Sequence, residues 1–208
     1  MVINKINGFL FDLDGVIIDS ERKYTEIWKE VDKSFPTGVN DFYLKIKGMT
    51  LEAILENYYP DSDIRQKVTD MLYDLEGKII YEYCEGAEEF LDILNSKGIA
   101  TALVTSSNGL KMKRLWEHLP NLKSKFKVII DGDMVVNSKP DPEGYIRAAD
   151  LLKLPIEDCA VVEDSVQGVK AGRAAGAFVI GVPGTLPASD LENFSDLMAM
   201  NLLNLTRI

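Results

Sequence analysis

At 208 residues, 46% of them hydrophobic and 27% charged, the chain has the composition of an ordinary folded protein and the length of one large domain or of a core carrying a smaller insertion. Its formal charge of −10 argues against nucleic acid or anionic membranes as partners, and no apolar run approaches the roughly 20 residues of a spanning helix, so a cytoplasmic location is expected. Cys84 and Cys159 lie far apart without metal-type spacing and read as reduced, packed thiols, while the single His118, at a helix end in KRLWEHLP, reads as a surface or capping residue; acid and base work then falls to carboxylates or lysine.

The opening MVINKINGFLFDLDG enters its first strand too soon to be a signal peptide. Within it, Phe9, Leu10 and Phe11 form an apolar run that delivers Asp12 and Asp14, and Gly15 lets the backbone turn away sharply. Two acids spaced i, i+2 on an extended segment point to the same side, where their charges repel unless a cation or a proton is shared. A divalent metal with oxygen ligands is the simplest partner.

Residues 20 to 82 change character. SERKYTEIWKEVDKSF, FYLKIKG, TLEAILENYY and DIRQKVTDMLYDLEGKIIYEY carry apolar residues at helical spacing, separated at Pro36-Thr37-Gly38, Gly48 and Pro60-Asp61, and predict four helices without a strand. From Glu85 the pattern alternates. GAEEFLDILNSKG predicts a helix, IATALVTSS a strand, GLKMKRLWEHL a helix, FKVIID a strand, PEGYIRAADLLKL a helix, CAVVEDS a strand, SVQGVKAGRAAG a helix and AFVIGV a strand. The tail NLLNLTRI carries little signal. Such alternation predicts an α/β fold: a Rossmann-like, mainly parallel sheet core built from residues 1–17 and 83–208, with a helical cap inserted at 18–82. The two connections, near 18 and 83, permit a hinge.

In an open parallel sheet, ligands sit at the carboxyl ends of the strands. Those ends read DLDG at 12–15, TSSN at 105–108, DGD at 131–133 and EDS at 163–165. Asp12, Asp14, Glu163 and Asp164 make an acidic cluster suited to a hard cation such as Mg²⁺. Thr105 and Ser106 end a strand just ahead of a helix and offer hydroxyls and amides to an anion. Lys139, in NSKPDP, follows a strand in the same topological place and can neutralise phosphate and carboxylates together. A metal site beside an anion site with a lysine is the layout of phosphoryl transfer to or from a small phosphorylated metabolite.

The four motifs FDLDGV (11–16), VTSS (104–107), SKPDP (138–142) and VEDS (162–165), with the cap between the first two, make the chain resemble the haloacid dehalogenase (HAD) superfamily over nearly its full length. The resemblance implies a C1-type cap. It also implies that Asp12 is the nucleophile forming an aspartyl-phosphate and a Mg²⁺ ligand, and that Asp14 is the general acid/base with its backbone carbonyl on the metal. Thr105 and the amide of Ser106 would hold the phosphoryl group, Lys139 would orient the nucleophile and offset charge, and Asp164, with Glu163 close by, would complete the metal site.

Within the superfamily the cap and DGVIIDS look most like β-phosphoglucomutases and small sugar-phosphate phosphatases. Where the mutases read roughly KGxSRxxSL this chain has KGMTLEAIL, so Leu51 stands in place of an arginine, and Tyr24 stands where they carry a histidine. Leucine cannot hold a second phosphate. Lys47 and Lys78 are the cap cations left for that task, among cap candidates for substrate contact that also include Glu21, Met49 and Thr50. The expectation is therefore a Mg²⁺-dependent phosphatase using water as acceptor and working as a monomer, with a phosphomutase second. Pyrophosphate hydrolysis and a non-catalytic phosphate-binding protein are the remaining alternatives, and Asp14 argues against dehalogenation.

Overall fold

In a computed structural model, the residues described are 6–46, 51–184 and 187–206. The chain divides into two compact units, one of Met1–Asp19 with Tyr81–Ile208 and the other of Ser20–Ile80.

The first unit is built on strand β1 (Gly8–Phe11), which the helices α1 (Ser20–Ser34), α2 (Phe42–Lys45), α3 (Leu51–Tyr58) and α4 (Ser62–Glu76) of the second unit follow in the chain. The first unit then continues as α5 (Ala87–Ser96), β2 (Ala100–Val104), α6 (Gly109–His118), β3 (Val128–Ile130), α7 (Glu143–Leu152), β4 (Cys159–Glu163), α8 (Val166–Ala175), β5 (Phe178–Gly181), α9 (Ala188–Glu192) and β6 (Leu197–Met198). The six strands among the described residues are all parallel, in the order β3-β2-β1-β4-β5-β6.

Every residue of β1 and β4 is buried, as expected of strands covered on both faces. Alternate β1 side chains enter different layers. Leu10 packs with Ala102, Val104, Tyr145, Ala148 and Val161. Phe9 and Phe11 turn the other way onto Phe90 of α5, with ring centroids 5.3 and 6.1 Å away. Strand β1 pairs with β2 on one side and β4 on the other, so the order reverses beside it and the crevice at its carboxyl end lies at a topological switch point.

The helical unit packs round aromatic rings. Phe42 lies 5.8 Å from Trp28, 4.9 Å from Tyr58 and 6.0 Å from Tyr59, with Ile27, Val31, Val68 and Leu72 also buried. Helix α4 starts at a clear cap, since the Asp61 carboxylate accepts from the amides of Asp63 and Ile64 at 2.8 and 3.1 Å.

Two expectations change. The helical spacing read through Tyr83 stops at Glu76, where Gly77 ends α4. Beyond it Ile79 and Tyr81 are buried while Ile80 and Glu82 are exposed, a period of two that marks extended chain. This return strand runs beside the outgoing one: the amide of Asp19 donates to the Glu82 carbonyl at 3.0 Å and that of Cys84 to Ile17 at 2.9 Å. The tail adds α9, the edge strand β6 against β5 and a short 3-10 turn at Leu202–Leu205, elements too short to show periodicity in sequence.

Leu10 is wholly buried in the central strand. Leu10→Ala is expected to cost about 2–5 kcal/mol in urea unfolding, the range for a buried leucine that leaves a cavity.

Candidate active site

Asp12 is the first residue past β1, and its amide still donates to the Val162 carbonyl of β4 at 2.9 Å. Leu13 is fully buried, so the alternation of an extended chain sets Asp12 and Asp14 on the opposite side. Gly15 then adopts a φ of +81°, and a Cβ there would fall 1.9 Å from an Asp164 carboxylate oxygen. The turn therefore needs glycine for its backbone and for the acid it accommodates. Gly168 does the same for Glu163, whose carboxylate fills the space 1.8 Å from where a Cβ would stand on α8.

Lys139 joins three strand ends. Its ammonium donates to Asp12 Oδ1 at 2.5 Å, to Glu163 Oε1 at 2.6 Å and to the Val104 carbonyl at the end of β2 at 3.0 Å, which uses all three of its protons. Glu163 is completely enclosed. Tyr145 of α7 donates its hydroxyl to Oε1 at 2.8 Å, and the amides of Asp164 and Ser165 with the Ser165 hydroxyl converge on Oε2 at 3.0–3.1 Å. The loop that carries Lys139 is itself tied down: the Glu143 carboxylate accepts the amides of Val136 and Asn137, each at 2.9 Å, which holds its pKa below the usual carboxylate value.

On the anion side, Thr105 is buried at the end of β2, and its hydroxyl oxygen accepts the Ser107 amide at 3.0 Å. Ser106 is exposed beside it. Asn108 caps α6 by accepting the Lys111 amide, and Asp133 of the DGD strand end accepts the Gly109 amide at 2.8 Å, so that acid serves the helix start. The Asp14 carboxylate is held from this side, by the Ser107 hydroxyl at 2.9 Å and the Lys111 ammonium at 2.6 Å.

The electrostatics favour a bound cation. Among the described residues Asp12, Glu163 and Asp164 offer carboxylate oxygens within 4.8 Å of one another. The Lys139 ammonium meets two of them, Asp12 and Glu163. Burial, with the charges of Glu163 and Asp14 adding to it and Lys139 opposing, raises the Asp12 pKa to about 7. Burial would lower that of Lys139, but Asp12 and Glu163 outweigh it and hold the lysine well above its ordinary value. A set of oxygen donors with surplus negative charge fits a hard divalent cation. Both oxygens of Glu163 already take protein donors within this acidic group.

Of the residues singled out in sequence, Asp12, Lys139 and Glu163 meet directly; Asp164 closes the acidic group, Thr105 and Ser106 follow the strand whose last carbonyl Lys139 holds, and Asp14 faces α6. Lys47, Met49 and Thr50 lie outside the described residues. Lys78 is exposed and pairs with Asp74 one turn back at 2.6 Å. Glu21, Tyr24 and Leu51 line a cavity of about 220 Å³ within the helical unit, together with Trp28, Tyr43 and Glu76. Both cysteines are free thiols, and His118 donates Nδ1–H to the Arg114 carbonyl at 3.0 Å on the surface end of α6. Ser107, Lys111, Tyr145 and Ser165 were not foreseen in these roles. Lys111 did carry a signal, since a cation in the first turn opposes the helix dipole.

The profile of the haloacid dehalogenase-like hydrolases matches residues 6–176. The chain belongs to that family. Among its HAD-like relatives, the bifunctional riboflavin kinase/FMN phosphatase of Arabidopsis thaliana is 30% identical over 98% of this chain, which spans 54% of that protein's length. The phosphorylated carbohydrates phosphatase of Thermotoga maritima is 30% identical over 82% of this chain and 82% of its own length. A crystal structure of a HAD family hydrolase from Deinococcus radiodurans, with bound phosphate and sodium, is similar at a TM-score of 0.81 and 25% identity, covering 97% of this chain and 93% of that one.

Asp12 folds into a site that prefers its neutral form, so its contribution to stability is fully present below its unfolded value of 3.8 and is lost as the pH rises through about 7. In chelator, the stability of the wild type relative to Asp12→Asn should fall between pH 4 and 7 by up to about 1.4 kcal/mol per pH unit, read from paired urea melts.

Proposed function

We propose that the chain is a Mg²⁺-dependent phosphatase that hydrolyses small phosphate monoesters, sugar phosphates foremost, through an aspartyl-phosphate on Asp12. The observation that carries this reading is the Asp12 carboxylate fixed by Lys139 at the switch point of the sheet, next to Thr105 and the start of α6. A carboxylate needs no histidine to activate it, which suits a chain whose one histidine is at the surface. The relative that acts on phosphorylated carbohydrates supports the substrate class.

In this scheme Asp12 attacks phosphorus and the bond to the leaving oxygen breaks, while Asp14 gives that oxygen a proton. Asp14 then takes a proton from the water that attacks the phosphoryl group, and Asp12 is released. Thr105 and the amides opening α6 receive the phosphoryl oxygens. Lys139, with its three protons committed, aims Asp12 and balances its charge, and Glu163 aims Lys139. Asp12 and Asp164, with the backbone carbonyl of Asp14, would hold Mg²⁺, which when bound neutralises charge on the transferring group. Phosphate monoesters are among the slowest uncatalysed hydrolyses, with enzymatic accelerations up to about 10²¹-fold, so this charge neutralisation and in-line positioning carry most of the barrier reduction. Leu51, apolar where a mutase has arginine, supports water as the acceptor.

Phosphate release measured over a panel of sugar phosphates, nucleotides, phosphoglycolate and pyrophosphate tests this. Wild type should turn over sugar phosphates with Mg²⁺ and stop in chelator, and Asp12→Asn should lose at least about 10³-fold in kcat while keeping its fold. Net conversion of β-glucose 1-phosphate to glucose 6-phosphate without phosphate release would make it a mutase instead. Mg²⁺ at about 100 times its Kd should also stabilise wild type by about 2.7 kcal/mol, and Asp164→Asn far less.

A further inference from the structure

Lys111 is out of place for a helix surface residue. It lies in the first turn of α6, where the helix dipole disfavours a cation and no acid of that turn balances it. It does not turn outward: its side chain is 18% exposed, and its ammonium sits 2.6 Å from Asp14 Oδ1 across from another strand end. The other oxygen of the same carboxylate takes the Ser107 hydroxyl at 2.9 Å. Both oxygens of Asp14 are thereby fixed by groups from one side, the start of α6, so the plane of the carboxylate is set by two contacts rather than left to rotate. The start of α6 is fixed in turn by Asn108 and by Asp133 on Gly109. A lysine held partly buried against the dipole gains nothing for the helix, so its contact with Asp14 points to function rather than to folding.

We propose that Lys111, together with Ser107, is a positioning residue that aims the Asp14 carboxylate at the leaving-group oxygen. This rests on the reading of Asp14 as the acid of the reaction. The step it serves breaks the phosphorus–oxygen bond of the ester while the proton of Asp14 passes to the departing oxygen and the phosphoryl group passes to Asp12. Removing Lys111 leaves the nucleophile and its lysine untouched, since Asp12, Lys139 and Glu163 form a separate set of contacts. The loss must therefore depend on how much the leaving group needs a proton.

The test compares kcat/KM, which reports the steps through loss of the leaving group, for phenyl phosphate and p-nitrophenyl phosphate with Mg²⁺. Phenolate is a poor leaving group and p-nitrophenolate a good one. Lys111→Met should lose at least about 10-fold more on phenyl phosphate than on p-nitrophenyl phosphate, within the 10²–10⁴-fold that a general acid supplies. Asp14→Asn should show the same bias more strongly, and Lys111→Arg should restore most of it. Ser107→Ala, which keeps the lysine, should show the bias in weaker form and carries the test if Lys111→Met does not fold. Equal losses on both esters, or none, in variants whose melts match wild type would overturn the positioning role while leaving the phosphatase reading intact. Absence of phosphate release by wild type from both esters and from every phosphate of the panel above would overturn both.

Discussion

The buried ammonium of Lys139 is the constraint on which the rest of the site depends. It bonds Asp12, Glu163 and the Val104 carbonyl, and so ties the carboxyl ends of β1, β2 and β4 to one point. Burying several carboxylates together is unfavourable, and removing one partner of a buried pair typically costs about 3–5 kcal/mol. The surrounding structure is arranged to prevent that. Tyr145 and the β4–α8 turn occupy every remaining lone pair of Glu163, and Gly15 and Gly168 leave space for the acids where any side chain would collide with them. Burial, with the charges of Glu163 and Asp14 adding to it, nevertheless holds the Asp12 pKa near 7 against the opposing effect of Lys139. That setting suits the roles proposed for Asp12, to bind a cation and accept a phosphoryl group.

The division of labour between the acids follows from their surroundings. Asp12 and Glu163 share a lysine inside the protein, while Asp14, two residues from Asp12, faces a different lysine on α6. The two acids share one side of the extended chain and their charges still act on each other, but the elements that meet them give each a different lysine. In the proposed reaction the first environment keeps a nucleophile aimed and the second aims a proton donor.

Much of this was legible in sequence because it depends on strand ends. Apolar runs halted by DLDG, TSS and EDS mark where β1, β2 and β4 stop, and a parallel sheet brings such ends together whatever else varies. The helices of the 20–80 unit were legible from their 3.6-residue spacing. What escaped has physical reasons. The Ile79–Tyr83 return has helical-looking apolar content, but its burial alternates with period two, and only pairing with Ile17 and Asp19 makes it extended. Tyr145 looked like one more core aromatic, since nothing local shows that its hydroxyl reaches Glu163. Glu163 lies in the acidic group where the sequence put it, but the protein donors that meet both its oxygens come from three separate parts of the chain and show only in the fold. Lys111 broke a local rule of helix charge, a signal that becomes readable once Asp14 is seen opposite it.

Trapping of the phosphorylated protein tests the central claim most directly. Enzyme turning over a radiolabelled phosphate ester with Mg²⁺ is quenched in acid, exposed to hydroxylamine and mapped by peptide mass spectrometry. Protein-bound phosphate that hydroxylamine releases, located on the peptide carrying Asp12, is the predicted result. Turnover with no label on the protein, or with the label on any other residue, would contradict a nucleophilic Asp12.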